Sequence, residues 1–199
     1  MRDYTDAPAP QFELIPQDTI ASVSIHIRAG GIGEDGLLKR SKEGDCEILD
    51  LEFTVLDGDY KGRKFWHNLL LSGTTDGQKQ MADSNKGMLK AILDSALGLK
   101  PNDVSAEARA RRTVSLKQFE GMPFIAKIGI QKGKPKNDGS GENWADKNVL
   151  VGVITPDKTG WKSIEQPPPF DTGGGGSGGP SSSTPSTPAA PVERPDWAR

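Results

Sequence analysis

The sequence predicts a mainly β domain with one inserted helix and a disordered C-terminal tail. Several short segments alternate apolar and polar residues, which is the period of half-buried strands. Residues 75–97 instead follow the period of a helix. From residue 166 the chain is rich in Gly, Ser, Thr and Pro, which cannot bury enough apolar surface to become ordered. We therefore expect an N-terminal arm over residues 1–17, a domain over 18–165 and a disordered tail over 166–199.

Three strands are predicted in the first half of the domain. Residues 20–28 alternate, with Val23, Ile25 and Ile27 on one face. A turn-rich loop over 29–36 and a basic segment over 37–42 follow. Residues 46–56 alternate most clearly, and 63–71 return after a Gly- and Asp-rich turn. Such a pattern is typical of a long antiparallel hairpin.

The apolar residues of 75–97 lie on one side of a predicted helix. Thr75 and Gln78 are spaced for a capping box, and Gly98 stands where a helix ends. The opposite side is expected to be an ordinary charged surface, formed by Lys79, Asp83, Lys86, Lys90 and Asp94. A short helix is expected within 103–112.

Two further strands are predicted at 122–131 and 148–154, separated by a polar loop over 132–147. About five strands around one inserted helix are compatible with a small OB-like five-stranded antiparallel barrel. An open α+β sheet would give nearly the same sequence pattern. We prefer the barrel and keep the open sheet as the alternative.

Composition narrows the class of protein. The chain carries 25 Lys and Arg against 27 Asp and Glu, so its overall charge does not indicate a nucleic-acid partner. The charge is uneven, since residues 1–58 are acidic and 59–165 are basic. A single cysteine, Cys46, excludes an internal disulfide and fits a reducing compartment. No signal peptide or membrane span is evident, so we expect a cytoplasmic protein without a membrane partner.

Enzyme signatures are weak. The glycine-rich loop at 30–33 lacks the Lys and hydroxyl of a phosphate-binding loop. His26, His67 and Cys46 show no metal-ligand spacing. The acidic residues fall in a turn or on the outward face of a strand. A metal-dependent nuclease is therefore a distant third hypothesis, behind the two non-enzymatic functions given at the end of this section. We therefore expect no catalytic residues, no metal and no cofactor.

The strongest candidate site is a cluster of cations beside two aromatic residues. Single-strand binding needs cations that follow the phosphates and rings that stack on the bases. Alternation places the two rings on opposite faces, so one belongs to the core, and the sequence does not decide which. The alternative is an edge strand with core aromatics and solubilising charges. This cluster consists of Lys61, Arg63, Lys64, Phe65 and Trp66.

Two more basic clusters are candidates for the same surface. One lies in the 132–147 loop, where an aromatic residue either orders around a bound strand or folds back on the body. Its members are Lys132, Lys134, Lys136, Trp144 and Lys147. The other comprises Arg28, Lys39 and Arg40.

The segment FTVLDGDYKGRKFW at 53–66, the helix at 88–98 and the runs KGKPKNDG and KNVL resemble a family of small phage and prophage proteins. Members include single-stranded DNA-binding proteins found among replication and recombination functions. The resemblance spans about residues 19–164. It implies an OB-like fold, sequence-tolerant binding and a role in DNA replication, recombination or repair inside a bacterial host cell.

Bacterial single-strand binding proteins usually end in an acidic tip with a terminal aromatic residue. Here Glu193 and Asp196 are offset by Arg194 and Arg199, and Trp197 is followed by Ala-Arg. A partner-binding role for Trp197, toward replication or recombination proteins, therefore rests on analogy of architecture.

The leading hypothesis is a non-enzymatic protein that binds single-stranded DNA. The alternative is a β-rich adaptor that recruits a partner through its tail and does not contact nucleic acid. Stacking and phosphate contacts serve RNA as well, so the sequence does not separate DNA from RNA. Assembly into a homo-oligomer would let several small barrels present a continuous binding path to the nucleic-acid strand.

Overall fold

The chain folds around a single antiparallel sheet of six strands with two helices, as a computed structural model shows for residues 13–136 and 140–164. The strands are β1 (Thr19–Ile27), β2 (Leu38–Arg40), β3 (Glu47–Val55), β4 (Lys64–Ser72), β5 (Pro123–Gln131) and β6 (Lys147–Val153). The helices are α1 (Asp76–Leu97) and α2 (Ala106–Arg112), with short 3₁₀ turns at Glu34–Gly36 and Leu116–Phe119. The mainly β class with an inserted helix is thus confirmed.

Strand β3 lies at the centre of the sheet. One of its edges pairs with β4, and the other pairs with β1 and then with β2. Strand β1 also pairs with β5, which pairs with β6. Strands β4 and β6 are therefore the two ends of this path. They lie against each other, but no hydrogen-bonded pairing joins them in the described residues.

Alternation along the strands defines the core. Leu49, Leu51 and Phe53 of β3 are completely buried. The ring of Phe53 stacks on that of Phe65 in β4 with 5.0 Å between centroids, and it meets the edge of Phe124 in β5 at 5.8 Å. Apolar side chains of α1 belong to the same core: Leu89, Ile92, Leu93 and Ala96. The predicted strands and their inward faces are confirmed.

Helix α1 begins and ends as its sequence predicts. The Thr75 side chain accepts from the Gln78 backbone N–H, and the Gln78 side chain accepts from the Thr75 backbone, which completes a capping box. Gly98 ends the helix in the left-handed conformation, at φ 67°. Glycine adopts that conformation without strain because it has no Cβ.

Three features differ from the sequence-based expectation. Strand β2 was predicted only as a basic segment, because three residues are too few to show alternation. Ile15 is 1% exposed and belongs to the core, so the predicted arm over 1–17 is at least partly docked. Asp94, predicted on a charged surface, is fully buried.

Asp94 joins the two helices through a buried ion pair. Its carboxylate accepts from Arg112 Nε at 2.6 Å and from Lys90 Nζ at 2.8 Å. The Arg112 guanidinium also donates to the carbonyls of Lys100 and Asp103. The buried Asp94 carboxylate is therefore paired with two cations, as a buried charge requires.

We expect Arg112→Met to lower the free energy of unfolding by about 3 kcal/mol, because it leaves the buried Asp94 carboxylate short of its main partner. Urea denaturation followed by circular dichroism measures the change. The matched control is Lys86→Met, which breaks the exposed Lys86–Asp83 pair of α1 and should cost less than about 0.5 kcal/mol. Equal midpoints for the two variants would contradict this account of the helix junction.

Candidate functional site

The two candidate aromatics of β4 occupy opposite faces of the sheet. Phe65 is 1% exposed and stacks on Phe53 in the core. Its inclusion among the ligand-binding residues is therefore wrong, because a core ring cannot stack on a base. Trp66 is 46% exposed on the outer face. It is the ring of this cluster that a ligand can reach.

Trp66 and Lys64 share one partner on the neighbouring strand. Glu52 of β3 stands opposite Trp66 in the register of the hairpin. Its carboxylate accepts from Lys64 Nζ at 2.6 Å and from Trp66 Nε1 at 3.1 Å. The indole is thus tied by its N–H to β3, and the Lys64 charge is neutralised.

The 132–147 loop is an extension of the β5–β6 hairpin in its described part. The Trp144 N–H donates to the Lys134 carbonyl at 2.9 Å, and the Lys136 N–H donates to the Glu142 carbonyl at 2.8 Å. Gly133 permits this approach, since a Cβ there would lie 1.5 Å from the Trp144 carbonyl oxygen. Residues 137–139 lie outside the described residues.

Trp144 is presented to solvent by this hairpin. Its side chain is 64% exposed, so the alternative in which it folds back on the body is wrong. Lys136 Nζ lies 5.7 Å from the centre of its ring, within the range of a cation–π contact. A ring held in this way, with a cation over one face, can receive a base on the other.

A cleft of about 450 Å³ is lined by most of the first cluster and, from the second cluster, by Lys147. It lies between β4 and β6, and Leu14 of the N-terminal segment also lines it. Lys147 of β6 and residues 64–66 of β4 line this seam between β4 and β6. Burial, and secondarily the charge of Lys147, lowers the pKa of His67 on β4. The remaining lining residues are Gly62–Trp66 and Asp146–Asn148.

The N-terminal segment is fastened to both sides of the cleft. Arg63 donates to the carbonyl of Glu13. Asn148 accepts from the Ile15 N–H at 2.9 Å and donates to the Ile15 carbonyl at 2.7 Å, as a paired strand would. The amide of Asn148 also donates to the Gly129 carbonyl. Sequence reasoning missed Asn148, which is an unremarkable residue until its partner 133 positions away is known.

Two members of the third cluster contact the face of β3 that carries Glu52. Arg28 and Lys39 both form ion pairs with Asp50, which is buried. Asp50 is two residues from Glu52, so both side chains lie on the same face of β3, opposite Leu51 and Phe53. The Arg28–Asp50–Lys39 group therefore has a clear structural role.

Carboxylates neutralise half of the candidate cations. Besides Arg28, Lys39 and Lys64, Lys132 pairs with Asp146 at 2.7 Å and Lys136 with Glu142 at 2.5 Å. Arg63 keeps its charge but is held on a carbonyl. Four candidate side chains make no ion pair with the described part of the chain: Arg40, Lys61, Lys134 and Lys147.

Other site types find little support within 13–136 and 140–164. No group of three or more His, Cys, Asp or Glu side chains there is placed to hold a metal ion. Nor is any helix of this region both long and apolar enough to cross a membrane. Trp197 and the predicted tail over 166–199 lie outside the described residues.

Comparisons with family models, curated proteins and solved structures found no match to this chain.

We expect Asn148→Ala to lower the free energy of unfolding by about 2–3 kcal/mol, because the buried Ile15 backbone loses its partners. It should also speed hydrogen exchange of the Ile15 amide, measured by NMR. Asn102→Ala, at an exposed asparagine, is the matched control and should change neither. Unchanged Ile15 protection in Asn148→Ala would show that other contacts hold this segment.

Proposed function

We propose that the chain is a non-enzymatic protein that binds single-stranded DNA without sequence preference, on a domain of the OB type. The observation that carries the proposal is the pair of exposed tryptophans, Trp66 and Trp144. Lys64 lies beside Trp66, and Lys136 lies beside Trp144. Trp66 is on β4 and Trp144 is on the hairpin that leads into β6, so the two rings lie on either side of the seam between β4 and β6. Rings on which bases stack, next to cations that meet phosphates, are what single-strand binding requires.

The connectivity of the sheet supports the OB-type assignment. An OB barrel has five strands in a Greek-key order, and it is only partly closed. Without the short β2, the strands here run β4-β3-β1-β5-β6, with α1 inserted between β4 and β5. The edge strands β4 and β6 would meet at the seam to close the barrel.

The position of the candidate residues supports a ligand path on this barrel. OB domains bind oligonucleotides on the face of their second and third strands and on two flanking loops. Those strands correspond to β3 and β4, which carry Glu52, Lys64 and Trp66. The flanking loops correspond to the connection from β1 to β3, with Arg40, and to the 132–146 hairpin, with Lys134 and Trp144.

The resemblance to small phage and prophage proteins supports a proposal for the cellular role of this protein. We place the protein in DNA replication, recombination or repair of a phage or prophage, in the cytoplasm of a bacterial host. Trp197 of the tail would then dock on a replication or recombination protein.

The neutralised cations favour a second candidate, a β-rich adaptor that recruits a partner without touching nucleic acid. An interface for phosphates gains from free charge, whereas five of these cations already have carboxylate partners. Deleting residues 166–199 separates the two functions. A DNA-binding domain keeps its DNA affinity without the tail, whereas the adaptor loses its partner.

We expect labelled oligo-dT to bind more tightly than its duplex counterpart in fluorescence anisotropy across a salt series. The slope of log K against log salt should be about −3, because four unpaired cations each contribute about −0.7 on a single strand. Engagement of all ten candidate cations would instead give about −7. Absence of binding at low salt, or binding that salt does not weaken, would contradict the proposal.

Lys147 and Lys132 provide a matched control for that slope. Both are exposed lysines at the ends of the same hairpin, but only Lys132 has a carboxylate partner. Lys147→Ala should make the slope shallower by about 0.7, while Lys132→Ala should leave it almost unchanged. Equal effects would show that the ion pairs do not govern which cations meet the strand.

A further inference from the structure

One carboxylate organises both the exposed ring and the adjacent cation of β4. Glu52 accepts from Lys64 Nζ and Trp66 Nε1, and its own side chain is only 16% exposed. Trp66 is its directly opposite residue on β4, while Lys64 is opposite Thr54 and reaches Glu52 diagonally. Such diagonal neighbours are within reach of long side chains on a sheet.

Within the described residues, the hydrogen bonds and the ion pair of the Glu52 side chain are made to β4. Glu52 points outward from β3, away from the packed line of Leu51 and Phe53. On its other side it is paired in register with His26 of β1, whose ring contacts Glu120 instead. Both hydrogen bonds that Glu52 accepts come from candidate ligand-binding residues, Lys64 and Trp66.

Glu52 is ionised at neutral pH. The hydrogen bond from Lys64, more than that from Trp66, holds the pKa of the Glu52 carboxyl below its usual range, and His26 acts in the same direction. Lys64 therefore faces a full negative charge at 2.6 Å. A DNA phosphate is an acceptor of the same kind, and it would have to compete for the same ammonium group.

We infer that Glu52 is a positioning residue that sets the affinity of the binding surface. Its carboxylate occupies Lys64 in place of a phosphate and holds the Trp66 indole by its N–H across the β3–β4 pair. The first role weakens binding, and the second favours it by fixing the ring before a base arrives. This inference rests on the proposed function and deepens it, since it names what regulates that surface.

Two substitutions separate the roles. In Glu52→Gln the amide oxygen still accepts from the indole N–H, but the negative charge is gone and Lys64 is released. In Glu52→Ala Lys64 is released as well, and the Trp66 indole also loses its hydrogen-bond acceptor on β3. Asp83→Asn is the matched control, because it removes the same charge from an exposed lysine pair on α1, outside the proposed surface.

The test is anisotropy of the full-length variants with labelled oligo-dT across a salt series. Glu52→Gln should steepen the slope of log K against log salt by about 0.7 and bind about fivefold more tightly at 0.1 M salt, the effect of one added phosphate contact. Glu52→Ala should show the same steeper slope but bind at least about threefold more weakly than Glu52→Gln, because its ring is not held. Asp83→Asn should match the natural protein.

Several results would overturn the inference. An unchanged slope in Glu52→Gln shows that Lys64 is not withheld from phosphate, and equal affinity of the Gln and Ala variants shows that the ring is not positioned. Both leave the proposed function standing if the natural protein binds. Absence of binding by the natural protein and all variants instead overturns the proposed function, and this inference with it. Should Glu52→Ala fail to fold, the slope of Glu52→Gln still decides the charge role.

Discussion

The pairing of β3 on both edges is the constraint on which the rest of the structure depends. Because its neighbours are fixed in register on each side, every second residue of β3 must face the core. Phe53 meets Phe65 and Phe124 on that inner face. The same register puts Glu52 opposite Trp66 on the outer face, so the core and the candidate surface are set by one alignment. A shift of one residue would exchange the two faces.

The candidate surface is basic in sequence, but half of its cations are paired with carboxylates in the structure. Carboxylates of β3 and of the β5–β6 hairpin lie against half of the candidate cations, including Lys64 beside the exposed Trp66 and Lys136 beside the exposed Trp144. Stacking on the two rings, worth about 1–3 kcal/mol per base, then adds to the proposed binding a contribution comparable to that of the four unpaired cations. A sequence-tolerant protein gains from this balance, because every base offers a face to stack on.

The sequence was sufficient for the long elements and insufficient for their contacts. Alternation predicted β3 and the helix period predicted α1, because each pattern repeats several times within one segment. Strand β2 is too short to repeat a pattern. Whether Phe65 or Trp66 is buried depends on the pairing of β4 with β3, which alternation within β4 alone does not contain. The burial of Asp94 depends on Arg112, 18 residues further along the chain, and the role of Asn148 depends on Ile15.

The location of bound DNA tests the central claim most directly. Hydrogen exchange of the full-length protein, followed by mass spectrometry with and without saturating oligo-dT, maps it without any substitution. The account predicts slower exchange in β3, in β4 and in the 132–147 hairpin, with little change in α1 and α2. Protection confined to the helices or to residues 166–199, with the β3–β4 surface unaffected, would contradict it.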